Sequence, residues 1–535
     1  MHERFDAIVI GGGATGTAVA RDLAMRGAEV LLVERDDIAA SGASGKNHGL
    51  LHSGGRYVVK DPESAEECAR ENRVLREIAR HIVEPVGGYF VSIPPDPLDY
   101  ADKFVEGCKR AGVEFHEVST GEVLREEPNL NPEVQAAFWV NDAAIDPHKL
   151  CLLQALDAAR CGATIKTYAE VVGLLFDGET VEGVRVLDRA KRTVEEYRAE
   201  IVVNAAGAWV GRIASMAGIT IPVTPNKGTL VVIHRRIVNH VVNRLRMPSD
   251  GDIIVPHHTA SIIGTTSVNV EDPDKAYPTE PEVLKMLRAA AEIAPAAKSA
   301  RMLRAYAAPR PLVGGGAGRE ISRTFRVFDH ELEGVGGFVS IAGGKMCTCR
   351  LMAEKLSDLV CKKLGLRASC RTHVEPLPGA EREVDVEAEA KKYGLYNALV
   401  SRAVSRWGSL VSEFLPKVVE RPSLKSVVCT CEMVTAAEVE YALRETWARS
   451  IRDLRRRCRT TAGTCQGQNC SYRLAGLVYE VSRRPLEEVL EDLATTLRWR
   501  WLGMRHVLYG DQLRQASLVL AVYNCVGNFD RIFGE

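Results

Sequence analysis

No apolar run in the chain approaches the ~18 residues that a membrane-crossing helix needs. The longest candidate, around Ser517–Val526, is too short and is interrupted by Tyr523 and Asn524. An excess of basic charge is also missing, with 69 Lys and Arg against 70 Asp and Glu. That balance argues against a nucleic-acid groove or a polybasic membrane anchor as the main business. The 45 glycines are spread along the chain, with no low-complexity tract, collagen-like period or fixed repeat. The first residues run straight into a strand-like segment, so no secretory leader is expected. Fourteen cysteines in 535 residues are too few and too unevenly spaced for a disulfide scaffold. With 46% hydrophobic and 26% charged residues the composition is that of a globular chain. A soluble, cytoplasmic protein of roughly two to four domains is expected.

Phe5–Ile10 is a short apolar run, and Gly11-Gly12-Gly13-Ala14-Thr15-Gly16 opens a helical pattern that reaches about Arg26. A second apolar strand over Glu29–Val33 closes on Glu34. This order of strand, glycine turn, helix, strand and acid is that of a dinucleotide site. Gly11 allows the tight turn, Gly13 lets the backbone approach a pyrophosphate, and Gly16 lets helix pack on strand. The helix start faces the phosphates with free N–H groups, and Glu34 is placed to accept from a ribose hydroxyl.

Three later segments narrow the dinucleotide. Ser41–Tyr57 is rich in small residues, Ile201–Trp209 is a buried strand ending in a glycine turn, and Gly337–Lys345 is another strand feeding a helix. They resemble the strand ends around FAD in the D-amino-acid-oxidase-like flavoproteins. The likeness goes further. Asn47–Tyr57, Glu63–Asn72, Asp146-Pro147, Val203–Ala208, Ile262–Thr266, Arg304–Tyr306, Arg310–Leu312, and Gly343–Lys345 with Arg350–Glu354 resemble the catalytic A subunits of anaerobic glycerol-3-phosphate dehydrogenases over nearly the whole chain. The resemblance implies FAD-dependent oxidation of sn-glycerol 3-phosphate to dihydroxyacetone phosphate. It also implies partner subunits that carry electrons to membrane quinone, with this chain peripheral on the inner face of the membrane. FAD is then expected to meet Gly11, Gly13, Ala14, Thr15, Gly16, Glu34, Arg35, Ser44, Asn47, His48, Gly49, Leu50, Val171, Ala206, Gly207, Gly343, Gly344, Lys345 and Met346.

A phosphate monoester carries about two negative charges and needs several cations. Arg56 with Tyr57, Arg310, Arg323 and Lys345 lie on segments that should meet the flavin and are the expected substrate contacts. His52 and then His48 are candidates for the base that removes the hydroxyl proton; His52, Arg310 and Lys345 are the expected catalytic group. Lys345, after a double glycine at a helix start, can also stabilise negative charge on the reduced flavin. Asp146-Pro147 reads as a helix cap followed by a first-turn proline. Cys347 and Cys349 depart from the family pattern and read as altered packing under the ring, with a redox role as the alternative. Two rivals remain at this point: an L-2-hydroxyglutarate or related 2-hydroxyacid dehydrogenase, and an electron-transfer subunit that binds FAD without its own substrate.

Five of the cysteines lie between Cys429 and Cys470. Cys429 and Cys431, then Cys465 and Cys470, form two close pairs that can hold zinc or an iron–sulfur cluster. Cys-x-Cys is tight for a tetrahedral zinc knuckle. It resembles the start of the 2Fe-2S domain of bacterioferritin-associated ferredoxin, although the second pair here is wider. Cys458, within Arg455–Arg459, reads as a non-ligand. The arginines around it offset cluster charge, meet a partner, or form a solvated helix face. Thr435-Ala436-Ala437-Glu438 reads as a capping box.

The expected architecture is α/β and α+β: a Rossmann-like three-layer FAD-binding domain with an inserted mixed-sheet substrate domain, plus a small helical 2Fe-2S domain. FAD-binding parts are expected at about 1–90, 145–225 and 326–365, and substrate parts at about 91–144 and 226–325. A linker and helical connector over 366–425, the cluster domain over 426–482, and a helical tail for partner docking over 483–535 complete the chain.

Overall fold

The computed structural model describes residues 4–314 and 324–529. Two compact units divide the chain: Met1–Ala300 with Tyr306–Leu377, and Arg301–Ala305 with Pro378–Glu535.

The first unit begins with β1 (Arg4–Ile10), α1 (Ala14–Met25) and β2 (Val30–Glu34), and β1 and β2 pair in parallel. Strands of a parallel sheet are covered on both faces, so they read as continuous apolar runs; Ala7, Ile8 and Val9 are fully buried. A small sheet follows, of β3 (Leu50–Leu51), β4 (Val83–Glu84) and β5 (Ala143–Ile145), in the order β3–β5–β4. The amphipathic helix α2 (Pro62–Ile78) lies between β3 and β4 in the chain. Helix α3 (Pro147–Arg160) starts where expected: the Asp146 carboxylate accepts from the N–H groups of His148 and Lys149, and Pro147 fills the first helical position. β6 (Thr193–Asn204) then returns in parallel beside β1.

In that large sheet the order runs Ala169–Asp177, Thr180–Asp188, β6, β1, β2, Thr164–Thr167. A nine-stranded sheet forms a second layer. It contains the hairpin of β7 (Ile253–His257) and β8 (Ala260–Gly264), and β9 (Met302–Val313) joins it beside Val223–Ile233. β10 (Phe338–Gly343) pairs in parallel with the end of β6 and leads into α4 (Cys349–Leu364), which packs on α1. A large, mostly parallel sheet with a mixed sheet inserted is therefore what this unit adopts.

The first compact unit runs on to Leu377, beyond the expected end at 365. Arg21, almost fully buried on α1, donates to the carbonyls of Thr372 and Glu375, and Leu377 is buried. These bonds tie an irregular segment to the flavin-side unit, and no apolar period announces them.

In the second unit, a ribbon of Val427–Cys429 and Val434–Thr435 leads into five helices: α5 (Ala436–Glu445), α6 (Ile451–Cys458), α7 (Ser471–Ser482), α8 (Leu486–Met504) and α9 (Gly510–Gly527). Thr435 caps α5 by accepting from Glu438 N–H. The Glu438 side chain, however, is not the return half of a capping box. It takes two 2.6 Å bonds from the buried Arg406 and a third from Trp407 Nε1. A buried guanidinium needs a carboxylate at hand, and that need outweighs the local cap.

Candidate functional site

The first unit encloses a cavity of about 720 Å³ between the two layers, lined from the glycine turn to the strand end at Gly343. That volume lies within the ~300–1,000 Å³ common for small-molecule and cofactor sites. One end is the turn between β1 and α1. Gly11 has φ +113°, and a Cβ there would lie 2.7 Å from Ala205 O. At Gly13 a Cβ would meet Ser44 Oγ at 2.9 Å. Side chains are excluded at both positions, so a ligand can reach bare backbone. The Glu34 carboxylate, at the end of β2, accepts from Gly12 N–H at 2.6 Å and from Asp36 N–H at 2.9 Å. Loss of solvation pushes it up to about 7, against the pull of these two N–H groups. Arg35 lies 4.2 Å over the Trp209 ring, and both line the cavity.

Of the residues singled out for FAD, Ala14, Thr15, Ser44, Asn47, His48, Leu50, Val171, Ala206, Gly207, Gly343, Gly344, Lys345 and Met346 also line the cavity. Gly16 and Gly49 stand behind it. A Cβ on Gly16 would fall 1.9 Å from Gly11 O, and one on Gly49 would fall 2.7 Å from Ile145 O. Their part is close packing rather than direct lining. Asn47 braces its own loop, donating to Ala43 O and Ser44 O and accepting from Gly49 N–H.

The cavity wall brings together Arg56, Tyr57, Arg310, Lys345, His48 and His52 from segments far apart in the chain. Arg310 of β9 donates to Asn226 Oδ1 at 2.7 Å, to Thr266 O at 3.1 Å, and to the Thr265 hydroxyl. Arg56 donates to Ser249 O at 3.3 Å and lies 3.5 Å from Asp252. Lys345 Nζ lies 4.8 Å over the Tyr57 ring, whose other neighbour is His52 at 5.3 Å between centroids. Desolvation opposes the charge on Lys345, yet neighbouring Cys68, Tyr57, Cys347 and Glu67 hold its pKa above the ordinary value. His48, half-buried, is pushed down to about 3, first by lost solvation and then by the charges of Arg56 and Arg310. Its Nδ1 accepts from Leu50 N–H at 3.2 Å. Neutral His48, accepting at Nδ1, carries its proton on Nε2 and can donate from there. Arg323 lies outside the described residues.

Sequence reasoning missed Glu67, a half-buried residue whose carboxylate desolvation holds above its usual range against the pull of Lys345. Its signal was present: on α2 it lies one turn after Glu63, a cavity-lining residue.

In the second unit the two cysteine pairs face one another crosswise. The Cys429 and Cys470 thiols hydrogen-bond to each other, as do those of Cys431 and Cys465. Backbone N–H groups of Glu432 and Thr461 point at Cys429, and those of Gly467 and Asn469 point at Cys465. No cysteine is in a disulfide. Four thiols under backbone donors fit a 2Fe-2S cluster, whose sulfurs are commonly hydrogen-bonded. Cys458 stands apart, buried, with its thiol 3.8 Å from Glu438 O. The neighbouring arginines do not form a solvated face. Arg457 is buried against Thr446, Arg456 pairs with Asp453 at 2.6 Å, and Arg455 reaches Thr461 O. Arg500 of α8 was not anticipated. Buried and without a carboxylate partner among the described residues, it donates to Gln466 O at 2.9 Å and feels the charge of Cys465.

Residues 6–359 match the family of FAD dependent oxidoreductases, and residues 427–480 match the BFD-like 2Fe-2S binding domain. The chain is thus a flavin-dependent oxidoreductase with an iron–sulfur domain, and its cofactors are FAD and a 2Fe-2S cluster. The A subunit of the anaerobic glycerol-3-phosphate dehydrogenase of Escherichia coli K12 is 43% identical over 97% of this chain and 96% of its own length. The A1 subunit of the corresponding Haloferax volcanii enzyme is 42% identical, over 99% and 92%. The chain belongs to this family, the A subunits of anaerobic glycerol-3-phosphate dehydrogenases. Among solved structures, the glycerol-3-phosphate dehydrogenase of Bacillus halodurans shares the fold, with a TM-score of 0.74 at 22% identity over 95% of this chain and 96% of the other.

Proposed function

We propose that the chain oxidises sn-glycerol 3-phosphate to dihydroxyacetone phosphate and sends the electrons through its cluster to partner subunits and quinone. The observation that carries this reading is the convergence of Arg56, Arg310 and Lys345 on one cavity wall beside a histidine that stays neutral. FAD, when bound, accepts the hydride from the substrate carbon. The chain supplies the rest. Arg310 and Arg56 hold the phosphate, their forks fixed by Asn226, Thr266 and Ser249. His48 donates from Nε2 to a substrate oxygen. His52, packed against Tyr57, takes the hydroxyl proton, and Lys345 offsets the negative charge that develops.

Three cations suit a dianionic phosphate better than the carboxylates of a 2-hydroxyacid. Partner docking is supported by α9, where Ala516 is the buried residue while Leu518, Val522 and Val526 form an exposed stripe. Among the described residues no helix is long and apolar enough to cross a membrane. Attachment at the inner face would therefore fall to the partners.

An anaerobic optical titration of the purified protein with glycerol 3-phosphate, using L-2-hydroxyglutarate as control, tests the reading. Selective bleaching of the flavin band by the phosphate supports it. Bleaching by the hydroxyacid alone moves the substrate class, and silence with both in FAD-loaded protein sinks it.

A further inference from the structure

Glu84, His257 and His258 meet at a place the reaction does not use. Glu84 ends β4, His257 ends β7, and His258 follows in the hairpin turn with φ +52°. That turn lays the two imidazoles side by side, 4.9 Å apart at 23°. Both rings point Nδ1 at one carboxylate oxygen: Glu84 Oε1 lies 3.5 Å from His257 Nδ1 and 3.2 Å from His258 Nδ1. All three ligand atoms lie within 4.8 Å of one another.

These spacings suit a small cation. Zinc bonds of about 2.0–2.2 Å in tetrahedral geometry put neighbouring ligand atoms about 3.3–3.6 Å apart, and the two O···N separations match that edge. His257 Nδ1 is shut off from solvent, and at 3.5 Å it makes no proper hydrogen bond. A buried polar atom in that position ordinarily has a partner. The other carboxylate oxygen, Oε2, accepts from Arg236 Nη1 at 3.1 Å, while the same guanidinium holds His258 O and Asn239 O. Metal-ligating carboxylates are commonly braced from behind in this way. Oε1 also takes the His258 N–H at 2.8 Å and keeps a second lone pair for the ion. Arg236 adds repulsion, so affinity is moderated rather than abolished. The side chains of Glu84 and His258 remain 25% and 16% exposed, which leaves the fourth position to water.

We propose that Glu84, His257 and His258 bind one borderline divalent cation of the zinc or cobalt type, in a structural role. Two imidazoles and one carboxylate disfavour calcium and magnesium. The ion would tie the β7–β8 hairpin to the three-stranded sheet that carries Leu50–Leu51, just past His48. It would raise stability without entering the reaction.

The test uses the full-length protein with flavin and cluster loaded, so that the cluster cysteines are occupied. After chelation that leaves the cluster absorption intact, the protein is titrated with Co(II). One equivalent should bind with a low-coordinate nitrogen–oxygen spectrum and no thiolate charge-transfer band. Zn(II) should displace it and raise Tm. His257→Gln and His258→Gln should each weaken binding at least about tenfold, with flavin reduction by glycerol 3-phosphate unchanged. X-ray absorption of the zinc-loaded parent, which needs no variant, should show an N/O shell with imidazole scattering. No binding, a thiolate band, a sulfur shell, or parental affinity retained in both variants would overturn the proposal.

Discussion

Arg310 illustrates how the scaffold can fix one side chain at a cavity wall. Asn226 and Thr266 fix its guanidinium on the cavity wall. A charge-assisted hydrogen bond is worth ~1.5–3 kcal/mol. Arg310→Ala should therefore raise KM for glycerol 3-phosphate by about ten- to a hundredfold, with flavin content retained; steady-state kinetics beside an optical flavin count check it. His48 gives a pH prediction. The folded chain keeps it neutral down to about 3, against 6.5 when unperturbed. Between those values the unfolded chain binds the extra proton, so stability falls as the pH drops below about 6.5. From pH 6.5 to 5 the loss is at most about 2 kcal/mol. Thermal unfolding at pH 7 and 5 should show a smaller acid loss in His48→Asn than in the parent, and equal losses would refute the assignment.

Among the elements, α1 and α8 bear most directly on the two cofactors. Gly16 lets α1 close on the β1 turn, since a Cβ there would fall 1.9 Å from Gly11 O. Gly16→Ala should cost about 1–3 kcal/mol and lower the FAD retained through gel filtration; full retention at unchanged Tm would contradict this. Helix α8 brings a buried cation to the cysteine loop through Arg500. A positive charge there favours the more negative, reduced cluster. Arg500→Gln should lower the cluster midpoint potential, and Arg500→Lys should keep most of it, read by a redox titration followed by electron paramagnetic resonance. An unchanged potential in Arg500→Gln would leave Arg500 a purely structural role.

The same elements show what the chain reveals before folding. The β1–α1–β2 unit was legible because glycines, apolar runs and Glu34 are consecutive, and the two cysteine pairs because their spacing is itself a pattern. Glu438, the arginines of α6 and the segment up to Leu377 were not legible. Their partners, Arg406, Thr446 and Arg21, lie outside any local period. Glu84 and the His257–His258 pair meet across a long chain separation, which no window of sequence displays.

At the scale of the whole molecule, one chain carries a flavin unit that receives two electrons and a cluster unit that passes them on singly. The most direct test is an anaerobic stopped-flow reduction of FAD- and cluster-loaded protein by glycerol 3-phosphate, repeated with Cys465→Ser. The account predicts that the flavin band bleaches first and a reduced 2Fe-2S signal follows in the parent. In the variant the flavin should bleach and the 2Fe-2S signal should be lost. Cluster reduction without prior flavin bleaching, or a flavin that glycerol 3-phosphate leaves oxidised, would contradict it.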